Sequence, residues 1–320
     1  MSQFDGFSKR TPLILVWALL LLTACAPSPA LSPRSSTPAA PNVLVVETFL
    51  ADITRQVAGD RLTVDTLMPL GVDPHSFEPT PADVAKVSAS TVLVTNGVGL
   101  EAFLDKLLQN ADGKRVVIEA ASGLTPRTPT ATEEAHDSAE PEHEEGDPHF
   151  WLDPVLVMRY VENSRYGLSQ VDPDGALLYA ANAAAYVTQL QALDAWIREQ
   201  TNQVPIAQRQ LVTNHESLGY FADRYGFQII GAIVPSVSSG ASPSAQQLAA
   251  LVDQIKATGA RAIFLETGAN PQLAEQVAAE TGASVVTGLL SHSLSAPGGE
   301  GATYIEMMKH NTRTIVAALK

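Results

Sequence analysis

What most constrains this 320-residue chain is a rhythm of short apolar runs alternating with amphipathic helical segments, repeated on both sides of one long helical stretch. The first set reads "VLVVET" (Val43–Thr48) and "FLADITRQVAG", then "RLTVDTLMP", then "TVLVTN" and "LEAFLDKLLQNA", then "KRVVIEA". The second set reads "RQLVTN", "SLGYFADRYG", "FQIIGAI", "SPSAQQLAALVDQIKATG", "AIFLE", "PQLAEQVAAETG", "SVVTG" and a closing helix "TYIEMMKHNTRTIVAALK". Strands separated by amphipathic helices predict parallel sheets of α/β type, because parallel neighbours need a crossover between them. Between the sets, Asp172-Pro173-Asp174 reads as a helix start, and Tyr179, Tyr186, Leu190, Leu193 and Ile197 recur at helical spacing. A helix from there to about Asn202 would be roughly 45 Å long, which suits a spine between two lobes. The predicted fold is α/β: two similar lobes with parallel sheets, 42–171 and 209–320, joined by one long rigid helix within 172–208. A ligand site is expected in the cleft between the lobes.

The segment before this body reads as an address. Lys9 and Arg10 precede an apolar run, Leu13–Leu22, too short to span a bilayer as a mature helix. It ends in Leu22-Thr23-Ala24-Cys25, which looks like a lipobox with cleavage after Ala24. Residues 1–24 are therefore expected to be a lipoprotein signal peptide and Cys25 the lipidated residue. Cys25 is the only cysteine, so an internal disulfide is excluded. A Pro-, Ser- and Ala-rich stretch within 25–41 reads as a flexible tether. The expected location is extracytoplasmic, anchored to the membrane by lipid. The formal charge of -14 argues against nucleic acid as a partner, since phosphate binding needs a basic footprint.

Three of the seven histidines fall where α/β sheets bind ligands, beyond the carboxyl ends of strands, and a fourth can reach the same cleft. His75 lies in the loop after the second strand. His215 directly follows "LVTN", and His292 lies four residues after "SVVTG". His149 stands in the segment leading into the long helix. Each alone reads more simply as a surface histidine; the signal is their common topological position. "HESLG" fails the metalloprotease pattern, because Gly219 stands where a second histidine is required.

The stretches "GVDPHSFEPTPADV", "DPHFWLDP", "VTNHESLGYFADRYGF" and "SHSLSAPGGEGATYIEMMKHNTRTIVAAL" together resemble the metal-binding proteins of zinc and manganese ABC transporters. The resemblance runs in order along nearly the whole mature chain. It implies two α/β lobes joined by a rigid helix, a metal held between them, and a membrane permease as partner. Residue by residue, it implies His75, His149 and His215 as ligands. The third position is usually glutamate in manganese binders, so His215 resembles the zinc branch. At the fourth position the family commonly has Asp-Ser-Leu-Ser, whereas this chain has His292-Ser293-Leu294-Ser295. Imidazole can replace carboxylate on Zn²⁺ and leaves Mn²⁺ the less favoured ion. His292 as fourth ligand, and a water or nearby acid in its place, are both open on sequence grounds. His292 is also the expected labile ligand on release. Asp73, Glu78 and Glu216 are the nearest acids for orienting the rings, without assignment.

The acidic insertion within 126–148 carries His136 and His143 among Glu133, Glu134, Asp137, Glu140, Glu142, Glu144 and Glu145. So dense a like charge resists packing. Zinc-binding relatives have a similar loop, which implies a secondary weak zinc site; a solubilising insertion is the plainer reading. The chain is expected to act as a monomer. Two enzyme readings compete. "NGVGLEAF", with Gly97, Gly99 and Ala102 and with Glu119 ending the next strand, imitates a dinucleotide fingerprint, but a lone match is weak. An exported zinc hydrolase would need an open coordination position. A surface adhesin is the third class, without specific support. Met307 and Met308 read as core, His310 as solvated, and Glu266 as a structural hydrogen-bonding group at a crevice-facing strand end.

Overall fold

The computed structural model describes residues 40–127 and 146–320. The signal peptide, Cys25, and the loop histidines His136 and His143 lie outside the described residues.

The first lobe runs β1 (Val43–Val45), α1 (Thr48–Ala58), β2 (Val64–Thr66), α2 (Pro81–Ala89), β3 (Val92–Thr95), α3 (Leu104–Asn110) and β4 (Val116–Glu119). Two packed helices follow, α4 (Pro154–Val171) and α5 (Ala176–Thr201). The second lobe runs β5 (Gln210–Thr213), α6 (Gly219–Tyr225), β6 (Gln228–Ala232), α7 (Ala245–Thr258), β7 (Ala262–Glu266), α8 (Gln272–Thr281), β8 (Ser284–Leu289) and α9 (Tyr304–Leu319). All strand pairs are parallel, in the orders β2-β1-β3-β4 and β6-β5-β7-β8. The two lobes thus share one topology, and each sheet has its switch point beside its first strand. Loops on the two sides of that point diverge and open a crevice at the strands' carboxyl ends.

Strand alternation explains how two lobes become one body. Val43 and Val45 face a central apolar cluster, while Leu44 and Val46 face a separate one on the far side. In the second lobe, Ala262 and Phe264 face the same central cluster, and Ile263 and Leu265 face the outer one. Successive side chains point to opposite faces, so sheets covered on both sides read as continuous apolar runs. The central cluster also takes in α1, α4, α5 and α9. Truncating a fully buried member such as Leu190 to alanine is expected to cost about 2–5 kcal/mol.

Two expectations are corrected here. The long helix is present but shorter than expected, at 26 residues or about 39 Å; α4 lies along it, and both α1 and α9 pack on it. The proline-linked cap expected at Asp172 is realised one helix earlier, where Asp153 accepts from Val155 N at 2.8 Å ahead of Pro154. The Asp172 carboxylate instead meets Arg61 and the Tyr179 hydroxyl, and Pro173–Gly175 form a 3-10 turn before α5. Helix α7 starts from Ser244, which exchanges capping bonds with Gln247. The apolar stripe read along the long helix is its buried face: Tyr179, Tyr186, Leu190, Leu193 and Ile197. No helix among the described residues is long and apolar enough to cross a membrane.

Candidate metal centre

His75, His149, His215 and His292 converge in the crevice between the lobes, with one ring nitrogen from each lying within 4.8 Å of the others. His149 Nε2 is central: it lies 3.2 Å from His75 Nε2 and 3.3 Å from both His215 Nε2 and His292 Nε2. Nitrogens on one tetrahedral zinc, with bonds of about 2.0–2.1 Å, would sit about 3.3 Å apart. Three of the spacings therefore already match the edge of such a shell.

Each ring is placed by a different device. His75 occupies a 3-10 turn, Pro74–Ser76, in which Asp73 Oδ1 accepts the His75 backbone N–H at 2.9 Å. Pro74 contributes the fixed φ that suits such a turn. His149 follows the same tripeptide: Asp147 Oδ1 accepts both its backbone N–H, at 3.0 Å, and its ring Nδ1–H, at 2.8 Å. His215 and His292 share one carboxylate. Glu266, at the carboxyl end of β7, lies 2.7 Å from His215 Nδ1 through Oε1 and 3.2 Å from His292 Nδ1 through Oε2. Ser217 also donates to Glu266, at 3.1 Å.

A carboxylate on Nδ1 assigns the ring tautomer, so that Nε2 carries the free lone pair and faces the centre. His149 is set this way by Asp147; the Glu266 carboxylate lies at ion-pair distance from His215 Nδ1 and His292 Nδ1, and His292 Nδ1 also meets the Ser291 hydroxyl at 3.2 Å. Both acids had weak sequence signals. Asp147 was visible only as part of a Asp-Pro frame, and Glu266 only as a hydrogen-bonding group of unknown partner. Of the nearby acids, Asp73 caps the His75 turn and accepts from Ser239 across the cleft, and Glu78 is exposed.

Burial sharpens the electrostatics. His149 and His215 are fully buried, His292 nearly so, and His75 only half-buried. Burial, and then the other three imidazoles, push the His149 ring well below the ordinary histidine range. His292 moves the other way: burial opposes its charge, but the Glu266 carboxylate outweighs burial and raises it. For Glu266, burial acts to raise the carboxyl, and the two imidazoles overcome it and hold it well below the usual range. Trp151, stacked on Phe49 at 4.5 Å and 5.1 Å from the His149 ring, closes the dry side. A cavity of about 810 Å³ opens on the other side, where His292 and Glu266 meet Asp73, Ser293, Glu300 and His310.

The lobes are latched around this centre. Thr48 Oγ1 lies 3.2 Å from Ser293 Oγ, the Gly71 N–H donates to Ser293 Oγ at 2.8 Å, and Trp151 Nε1 donates to Ser291 O at 2.6 Å. Met307 and Met308 are core residues. His310 departs from its expected solvated place: its ring sits between Glu300, at 3.1 Å, and the Gly288 carbonyl, at 3.0 Å. The dinucleotide-like turn is also explained, since the N–H groups of Asn96 and Gly97 are taken by the Glu101 carboxylate.

Comparison with known proteins bears on the fold and the family. Residues 43–318 match the family described as zinc-uptake complex component A, periplasmic. The chain is 35% identical to the manganese-binding lipoprotein MntA of Halalkalibacterium halodurans, over 85% of this chain and 86% of that one. It is 34% identical to the zinc-binding lipoprotein AdcA of Streptococcus pneumoniae, over 85% of this chain and 54% of AdcA. Among solved structures, the periplasmic zinc-binding protein TroA of Treponema pallidum superimposes with a TM-score of 0.76 at 28% identity, covering 88% of this chain and 99% of TroA. A manganese-bound periplasmic metal-binding protein of Candidatus Liberibacter asiaticus gives 0.77 at 29% identity, covering 88% and 100%. Further relatives are named as substrate-binding lipoproteins of metal or manganese ABC transporters. With a match that spans both lobes and the whole interlobe crevice, this chain belongs to the family of periplasmic A components of zinc-uptake complexes.

Proposed function

We propose that this protein captures Zn²⁺ outside the cytoplasmic membrane and delivers it to the permease of an ABC transporter. The ion is held between the lobes by the Nε2 atoms of His75, His149, His215 and His292. The observation that carries this reading is the donor set: four convergent imidazole nitrogens, three of them backed by carboxylates, and no carboxylate among the four. Neutral imidazoles suit zinc, whereas Mn²⁺ favours oxygen-rich shells. Four protein ligands fill a tetrahedral shell, which favours carriage of the ion over catalysis on it. His292 borders the open cavity, and the Glu266 carboxylate raises its hold on a proton where His149 loses its own, so it is the ligand that leaves first on release.

In the same reading, Cys25 carries the lipid anchor, the tether lets a monomeric body meet its permease, and His136 and His143 form a weak outer zinc site. The second reading is a manganese carrier, favoured by the manganese-binding lipoproteins among the relatives. The test is a chelator-competition titration of the soluble protein with zinc, manganese and cadmium. One tight equivalent of zinc, with manganese far weaker, is expected. Tighter binding of manganese than of zinc would replace this reading with the second.

A further inference from the structure

Behind the His149 turn lies a set of buried polar groups that ligand binding does not use. Glu47, just past β1, is 1% exposed, and neither of its carboxyl oxygens meets a donor among the described residues. Beside it is Glu101, also buried, whose carboxylate accepts the N–H of Asn96 at 2.5 Å and that of Gly97 at 3.0 Å. Those donors belong to a tight turn in which Gly97, Val98 and Gly99 all have positive φ, at 88°, 53° and 72°. A β-branched residue in that region is an outlier that surroundings must enforce. Here the turn wraps the carboxylate, and a Cβ on Gly97 would stand 2.2 Å from Glu119 Oε1.

Asn96 links this turn to the metal centre. Its Nδ2 donates to the carbonyl of Pro148, at 3.1 Å, and to that of Gly97, at 3.0 Å; its Oδ1 accepts from the Tyr160 hydroxyl. Pro148 immediately precedes His149. From the opposite lobe, the Tyr220 hydroxyl donates to the Asp147 carbonyl at 2.7 Å. The backbone entering His149 is therefore held from both sides.

We propose that Asn96, Glu101 and Glu47 form a buried brace that positions His149, with Glu47 kept as a neutral acid that gives its O–H to the Glu101 carboxylate. Two adjacent buried carboxyl groups without a neighbouring cation cannot both ionise. Burial raises Glu101 as well, but the backbone N–H groups of Asn96 and Gly97 work against it, so Glu101 keeps the charge, whereas neither Glu47 oxygen meets a donor among the described residues. Burial, and then the charge on Glu101, push Glu47 well above the usual carboxyl range. Among the described residues, Tyr160, from α4, and Glu119, which lies against Gly97, also stand near the pair; burial followed by the same two acids holds the Tyr160 phenol protonated. The role of the brace rests on His149 being a zinc ligand; the protonation of Glu47 does not.

Two measurements test this, one of them independent of metal. Infrared difference spectra of the metal-free protein at neutral pH, wild type against Glu47→Gln, are expected to show a protonated-carboxyl C=O band that the variant lacks. No such band difference overturns the assignment of Glu47 as an acid. Zinc competition and Co²⁺ d–d spectra then compare Asn96→Ala, Glu101→Gln and Glu47→Gln. The first two are expected to lose about 10–100-fold in zinc affinity and to shift the Co²⁺ spectrum, the usual scale for a lost outer-shell partner. Glu47→Gln, whose amide still donates to Glu101, should stay within about threefold of wild type, well short of that scale. Wild-type affinity and an unshifted spectrum in both Asn96→Ala and Glu101→Gln would overturn the brace. Absence of tight zinc binding in the wild type would instead sink the zinc reading, with the infrared result standing on its own.

Discussion

The tripeptide Asp-Pro-His occurs twice, at residues 73–75 and 147–149, and the two copies do the same thing locally and different things globally. In both, the aspartate Oδ1 accepts the histidine backbone N–H, at 2.9 and 3.0 Å. In the first, the other aspartate oxygen reaches across the cleft to Ser239, and the histidine remains half-buried. In the second, the aspartate also takes the ring Nδ1–H, its second oxygen faces Arg127 Nη1 at 3.7 Å, and its carbonyl is held by Tyr220. That histidine is fully buried and kept neutral by desolvation and by the neighbouring rings. The turn is thus a local product of the sequence, while the electronic state of each ring belongs to its surroundings. His149 reads as the fixed centre of the site and His75 as its wetter edge.

The largest expected effect is on the ligands themselves. His149→Ala should weaken zinc binding by well over the roughly 100-fold that an outer-shell loss costs. His75→Ala should weaken it by less, because water can reach that corner. Equal losses in competition titrations would break the distinction between centre and edge.

Next comes the pair of aspartates. Asp147→Ala is expected to cost about 10–100-fold in zinc affinity, as for a ligand that loses its orienting carboxylate. Asp73→Ala, which removes a turn cap and the Ser239 contact, should fall below about 10-fold on the same scale. A larger effect from Asp73→Ala would mean that the turn, and not the ring partner, limits binding.

The pH response is a smaller and more graded test. Zinc must displace any proton from a ligand nitrogen, so affinity falls as pH drops. His149 is already neutral well below the usual histidine range, whereas His292 keeps its proton to higher pH because of Glu266. Titration downward from neutrality should therefore cost His292 before His149. Glu266→Gln removes the raising charge, so in that variant the acid-side fall in affinity should begin at lower pH, alongside its own loss of strength. A pH profile identical in shape to the wild type would show that His292 does not govern the acid limb.

The smallest effect is expected from deleting residues 132–145, which carry His136 and His143. Tight zinc affinity should stay within about threefold, below the scale of even an outer-shell loss, because none of the four converging histidines or their partners is removed. Loss of the tight site on deletion would assign ligands to that loop.

Particular residues show how far the chain was legible beforehand. The strand runs, Val43–Val45 and Ala262–Phe264 among them, announced themselves because a strand buried on both faces must be apolar at every position. The stripe from Tyr179 to Ile197 did so because a helix with one buried face repeats near every third or fourth residue. His75, His215 and His292 were found because each follows a strand end, where this topology places its crevice, and His149 because it stands in the segment leading into the long helices. Asp147 and Glu266 were not assignable to rings. Glu266 serves His215 and His292 only because β5, β7 and β8 carry residues distant in sequence to one point. The same holds for Asp172, whose proximity to a proline predicted a cap, whereas its position beside Arg61 and Tyr179 decided its use.

By itself, then, the sequence determined the alternation of strands and helices, the two-lobe order, the Asp-Pro-His turns and the set of candidate donors. These are properties of near neighbours: side-chain period, backbone restriction and hydrogen bonds spanning two residues. Only the tertiary structure decided that the four Nε2 atoms meet, that one carboxylate serves two rings, and which imidazole stays neutral. Those outcomes depend on distances between residues far apart in the chain and on how much water each is denied. Charge interacts through space and burial belongs to the assembled core, and neither is written in any short stretch of sequence.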